Sequence, residues 1–525
     1  MLKVTNVFKT FNPGTVNEKK ALNGVCLNLN EGDFVTVIGS NGAGKSTLLN
    51  AIAGVWPVDS GTIEVDGTDI TKLPDFKRAA YIGRVFQDPM MGTAANMWIE
   101  ENMALAKRRG MKRTLKPGIT DAERKEYAEL LAKKGIHVEE GEEVWINSQL
   151  DQIDFIRILV EECYKAGAKK VRVRFSDNKI TRLNYQYMTL KELCKVSEYS
   201  ISEYRYMKKN LVSMMHVISD DPNAFNGLSA KKINKSSMKF RKKVKPYRDA
   251  MDGKYKWCIA AVPSVEWAKQ VFPRDTDENA VEKLWDAILS TSRVDGKACE
   301  NWDNHNAELM KHRKLLGDLD LQWLEYKSSN GTNFKVELIK NGIWGGGVEF
   351  TDKNKSYNPN IPSEEVFTSP KAGSCEGIVY SSKPLSYQGK LIEDFFVRFE
   401  KGKVIEVKAK KNQKVLQNLV DTDEGSHMLG EVALVPYDSP IRNSGVLFYE
   451  TLFDENAACH LALGAGFKEC LPNGVNLSNE EARGMGLNDS MIHVDFMIGT
   501  KDLEIVGTDF SGKKTVIFKN GNWAI

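Results

Sequence analysis

The chain contains no C-x-x-C pair, no apolar run of bilayer-spanning length and no strong excess of charge of either sign. Each absence excludes a class of protein. The eight cysteines, at positions 26, 163, 194, 258, 299, 375, 459 and 470, are widely scattered, which argues against a disulfide framework and against a thiolate metal site. Without about 20 consecutive apolar residues, no transmembrane helix is expected. The N-terminus, Met1-Leu2-Lys3-Val4-Thr5-Asn6, has no secretory apolar core, so the expected location is a reducing cytoplasm. A net charge of +3 creates no field that would gather nucleic acid or a membrane surface. One stretch is rich in lysine (Lys231, Lys232, Lys235, Lys239, Lys242, Lys243, Lys245). No aromatic platform is interleaved with it, so it reads as a solvated helix face rather than a nucleic-acid patch. Internal repeats and low-complexity segments are also missing.

What is present is a globular composition, 42% hydrophobic and 27% charged, on a chain of 525 residues that has room for two to four domains. The expected fold is α/β and α+β multidomain. Its parts are a partial P-loop NTPase-like leader (1–118), a junction (119–126), an α/β domain (127–330) and a β-rich mixed domain (331–525). Phe34-Val35-Thr36-Val37-Ile38 reads as a strand, and Lys45 to Ala53 has a helical pattern. A basic run follows from Lys107 to Lys116. Farther on, Glu143–Ile146 and Val171–Phe175 read as strands, and residues 278–290 have helical spacing.

Gly39-Ser40-Asn41-Gly42-Ala43-Gly44-Lys45-Ser46-Thr47 fits G-x-x-x-x-G-K-[ST] between that strand and that helix. The glycines let backbone N–H groups curl around phosphate oxygens, and the helix N-terminus adds partial positive charge. Lys45 would reach the outer phosphates and Ser46 a magnesium ion. Residues 1–118 resemble the ATP-binding subunit of ABC transporters. The resemblance implies that Phe11 stacks on adenine and that Gln87, in Val85-Phe86-Gln87-Asp88-Pro89, occupies the Q-loop. No Leu-Ser-Gly-Gly-Gln signature follows, no strand ending in Asp-Glu, and no switch histidine. Phosphoryl transfer depends on those parts, so ATP and magnesium are at most bound here and hydrolysis is not expected. The strands missing from that family's sheet would leave unpaired edges.

The chain has seven histidines, and two of them lie near carboxylates in its last part. His493 and Asp495 are two apart in the apolar run Ile492 to Ile498, so a strand puts both on one face. A buried His–Asp pair without metal is the plain alternative. His460 is expected on a helical stretch starting near Asp454, with Glu455 in its first turn. Glu455 also reads as a helix-start carboxylate. Glu431 opens an apolar strand, where a charge needs a partner and a cation would serve. Glu364 and Glu365 are adjacent and point to opposite sides in extended chain. Glu365 is favoured as a ligand, and Glu364 as a general base or a group supporting the ligands. Imidazole and carboxylate suit zinc, cobalt or manganese. Two imidazoles and three or four carboxylates exceed the need of one tetrahedral ion and suit two divalent ions about 3.5–4 Å apart.

From about Tyr127 onward the chain resembles the M29 metallo-aminopeptidases. The resemblance rests on Asn360-Ile361-Pro362-Ser363-Glu364-Glu365-Val366-Phe367-Thr368, Leu429-Gly430-Glu431-Val432-Ala433-Leu434-Val435-Pro436, Asp454-Glu455-Asn456-Ala457-Ala458-Cys459-His460 and His493-Val494-Asp495-Phe496, in that family's order. It implies peptide substrates, removal of N-terminal residues and a homodimer. The family's tyrosine seven residues after the histidine is Phe467 here, so a phenol is missing or comes from elsewhere, such as Tyr449. The competing reading is an ATP-binding component of an ABC transporter with a C-terminal passenger.

Overall fold

In a computed structural model that describes residues 1–85, 120–387 and 389–525, the chain divides into two units, Met1–Lys116 and Pro117–Ile525. The first unit contains β1 (Leu2–Phe11), β2 (Lys19–Leu29), α1 (Lys45–Ala53), β3 (Ser60–Val65) and β4 (Thr68–Asp69), with the strands in the antiparallel order β2-β1-β3-β4. Leu48, Ala51 and Ile52 of α1 pack on Val4, Val7 and Ile63. Gly44, at φ 87°, admits the turn into α1.

The strand expected at Phe34–Ile38 is not formed. That segment joins no sheet among the described residues, and Phe34 and Ile38 are 93% and 89% exposed. An extended segment becomes a strand only when neighbours take up its N–H and C=O groups, and the sheet of this unit is built from other strands. Gln87 and the basic run 107–116 lie outside the described residues.

A capping box opens the second unit: Thr120 Oγ1 accepts the Glu123 N–H while Glu123 Oε2 accepts the Thr120 N–H. It starts α2 (Asp121–Leu130). β5 (Glu143–Gln149), α3 (Ile153–Lys165), β6 (Lys170–Ser176), β7 (Ser213–Ile218), α4 (Ala230–Met251) and β8 (Trp257–Ala261) follow, with parallel strands in the order β6-β5-β7-β8. Val144 and Ile146 are buried among Tyr127, Phe155 and Trp285, as expected of a parallel sheet covered by helices. α5 (Asp277–Thr291) and α6 (Ala298–Asp318) lead into the β-rich part. The lysine-rich stretch does form a helix, α4.

β9 (Leu321–Lys327) already belongs to the large antiparallel sheet, so the β-rich layer starts ahead of residue 331. A separate four-stranded sheet carries the site: β10 (Val366–Thr368), β11 (Leu429–Leu434), β12 (His460–Gly464) and β13 (His493–Met497), antiparallel in that order.

Candidate metal centre

Register brings the donors together. Glu431 of β11 lies opposite Ala462 of β12, which lies opposite Asp495 of β13. Residues on one rung share a face, as do residues two apart along a strand. His460 and His493 therefore join Glu431 and Asp495 on that face, and the small Ala462 between the acids leaves space above the sheet. Glu365 enters just before β10, with its oxygen 3.2 Å from His460 Nε2. Glu455 enters from the short turn Glu455–Ala457 before β12. Asn456 ties the two loops together: its Oδ1 accepts the Glu364 N–H at 2.7 Å and its Nδ2 donates to the Leu452 carbonyl at 3.0 Å.

Ligand atoms form three overlapping groups, each within 4.8 Å: Glu365, Glu431 and His460; Glu431, His493 and Asp495; Glu455, His460 and Asp495. All six residues expected as ligands are thus assembled in one place. Both imidazoles are oriented by backbone. His460 Nδ1 lies 3.1 Å from the Ala458 carbonyl and His493 Nδ1 lies 2.7 Å from the Ala465 carbonyl. A carbonyl can only accept, so Nδ1 carries the proton and Nε2 faces the acids. His493 Nε2 is 3.0 Å from Glu431 and 3.3 Å from Asp495. A neutral Nε2 is itself an acceptor, so these contacts call for a positive charge, either a proton or a metal ion, between imidazole and carboxylate.

The protonation behaviour has the same cause. Burial alone would lower the pKa of His460, but the hydrogen bond and charge of Glu365 prevail and push it to about 9. Burial lifts Glu455 well above the usual carboxylate range, and the charges of Asp495 and Glu365 add to that. Four crowded carboxylates with two inward Nε2 atoms fit a pair of divalent ions.

Several expectations are corrected. His460 opens a strand, not a helix position, and Glu455 lies in a 3₁₀ turn rather than a helix's first turn. Phe467 therefore does not share a helix with His460. Phe467 instead packs on His493, ring centroids 4.6 Å apart. Tyr449 does not line the cavity in front of the cluster. Glu364 faces away from the donors: its two oxygens bond Arg293 Nη1 and Nη2 at 2.6 and 2.7 Å. A carboxylate locked in this fork fits the supporting role, not the base. In the first unit Gly39, Asn41, Gly42 and Gly44 form the turn before α1, and Lys45, Ser46 and Thr47 open the helix. Lys45 Nζ donates to the Gly39 and Ser40 carbonyls at 2.5 and 2.9 Å.

The cluster opens on a cavity of about 410 Å³. Glu450, Glu469, Asp252 and Glu349 also line it, and the sequence reading passed over all four. Only a charge in an apolar run, such as Leu447-Phe448-Tyr449-Glu450, could have marked Glu450.

Buried imidazoles and carboxylates converging on a cavity are the arrangement of a metal-dependent hydrolase. Comparison with known proteins gives the family. The family described as thermophilic metalloprotease (M29) matches residues 120–523, and that described as ABC transporter matches residues 22–154. The chain is 38% identical over 400 residues to aminopeptidase AmpS of Bacillus subtilis, covering 76% of this chain and 97% of that protein. The solved structure of wild-type AmpT from Thermus thermophilus is similar with a TM-score of 0.71 at 35% identity, covering 77% of this chain and 99% of that one. A tyrosine transport ATP-binding protein of Clostridioides difficile is 43% identical over 117 residues, which span 22% of this chain and 46% of that protein. The chain belongs to the thermophilic metalloprotease family M29. It is a peptide hydrolase, with an ABC-transporter-like segment in its N-terminal part.

Proposed function

We propose that the chain is an aminopeptidase that removes N-terminal residues from peptides at a two-metal centre held by Glu365, Glu431, Glu455, His460, His493 and Asp495. The observation that carries this reading is the set of three overlapping donor groups at the cavity wall. When bound, the ions would hold the free α-amine, polarise the scissile carbonyl and acidify a water. Zinc, cobalt and manganese all suit the donors.

The protein's own groups do the rest. The carbonyls of Ala458 and Ala465 keep both imidazoles on the Nδ1–H tautomer. Arg293 and Asn456 hold Glu364, and with it the neighbouring Glu365, in place. Glu450 takes the proton-carrying role once expected of Glu364. It lines the cavity, its Oε2 accepts the Leu452 N–H at 2.8 Å, and burial pushes its pKa up to about 7. A carboxyl near neutrality can accept the water's proton at Oε1 and pass it to the leaving amine as the C–N bond breaks.

The test is hydrolysis of aminoacyl-p-nitroanilides. Exhaustive EDTA treatment should abolish it and added cobalt, zinc or manganese should restore it; turnover that survives chelation defeats the mechanism. For the first unit we propose a nucleotide-binding relic without ATPase activity, because the sequence carries no signature motif or catalytic strand.

A further inference from the structure

Among the described residues, eight carboxylates line the catalytic cavity, and Lys468 is the one lysine or arginine. Two divalent ions would balance four of them, Glu365, Glu431, Glu455 and Asp495. Of the other four, Glu450 has the proton-carrying role, and Asp252, Glu349 and Glu469 lie in the same cavity wall as Trp257 and Tyr357. Glu349 already has a partner in Arg313, 3.3 Å away. Lys468 is held by the Leu477 carbonyl at 2.9 Å, though its charge still reaches Asp252.

Glu469 and Asp252 have no ion pair among the described residues, although Asp252 accepts the Gly253 N–H. Neither side chain makes an ion pair or a hydrogen bond to another residue's side chain among the described residues. Asp252 closes the 22-residue helix α4, so the negative end of the helix dipole adds to its charge. Glu469 and Asp252 are both exposed, and both line the cavity. Desolvation by surrounding protein, and then the charge of Asp252, pushes the Glu469 pKa up to about 7, and Glu349 and Glu431 contribute. That places Glu469 within electrostatic reach of both the far wall and the metal-binding Glu431. Two carboxylates without an ion-pair partner, facing one cavity at a substrate's reach, are complementary to a cationic guest.

We propose that Asp252 and Glu469 form a subsite that receives the lysine or arginine side chain of a bound peptide. The proposal rests on the aminopeptidase reading and names its substrate class. A guanidinium or ammonium would supply charge-assisted hydrogen bonds to both acids, and the aromatic walls would cover its aliphatic stem.

The test uses the full, metal-loaded chain and the variants Glu469→Gln and Asp252→Asn. The readout is the ratio of kcat/KM for Lys- or Arg-p-nitroanilide to that for Leu-p-nitroanilide, and for Leu-Lys-amide to Leu-Leu-amide. Each variant should lower one ratio about ten-fold. A fall in the first pair puts the basic side chain at the peptide's first residue, and a fall in the second pair at its second. Ratios that move less than three-fold in both pairs overturn the subsite. Calorimetric binding of argininamide and norleucinamide repeats the comparison without turnover. Discrimination lost in the variants supports the subsite even if no peptide is hydrolysed, an outcome that would sink only the aminopeptidase reading. Equal binding of the two amides by the unaltered protein, together with unchanged ratios in both substrate pairs, sinks the subsite alone.

Discussion

Glu364 and Glu365 show how much one residue's direction decides. They are neighbours of the same chemistry, yet one is clamped by Arg293 and the other faces His460. Glu365→Gln keeps shape but removes a negative donor, so bound metal and turnover should both fall, turnover by at least about 100-fold, with unchanged circular dichroism. Arg293→Gln should act on stability instead. It leaves Glu364 buried and unpaired, a loss of roughly 3–5 kcal/mol readable by urea unfolding. The sequence offered the residue types at this scale and the opposite directions of the two glutamates. It did not offer Arg293, which lies 71 positions from Glu364 and carries no local mark of its partner.

Elements were legible where a pattern repeats within one segment. β5, β6, α1 and α5 lie where periodicity puts them. β12 did not, because Ala457-Ala458-Cys459-His460-Leu461-Ala462-Leu463 is rich in good helix formers. Pairing on both edges with β11 and β13 overrides that preference. The Phe34–Ile38 segment errs the other way: a strand-like run without partners stays unpaired.

Sheet packing also sets a pH response. His216 on β7 lies with Nδ1 3.2 Å from Asn147 Nδ2, and burial followed by the charge of Arg174 lowers its pKa to about 4. An unfolded imidazole titrates near 6.5. Above that pH neither state binds the proton. As pH falls from about 6.5 towards 4, the unfolded chain takes up a proton that the folded sheet refuses. Stability is then lost with falling pH, by up to roughly 3 kcal/mol. Unfolding of the His216→Gln variant at pH 7 and pH 4.5 should show a smaller difference than the unaltered protein.

At the scale of the whole molecule, the six donors all come from Pro117–Ile525. A chain beginning at Pro117 should therefore retain peptide hydrolysis within about two-fold, and Lys45→Ala should leave it unchanged. Loss of hydrolysis on removal of residues 1–116 would mean that the first unit acts on the centre. No helix among the described residues is long and apolar enough to cross a membrane. The sequence by itself determined the family, the donor types and the incomplete nucleotide motif set, because each is a matter of side-chain chemistry and short spacing. Only the tertiary structure decided that Glu431, Ala462 and Asp495 share a rung, that Glu364 faces away from the centre, and that Asp252 and Glu469 share its cavity. Those relations depend on strand register and on contacts between distant segments, which no local pattern encodes.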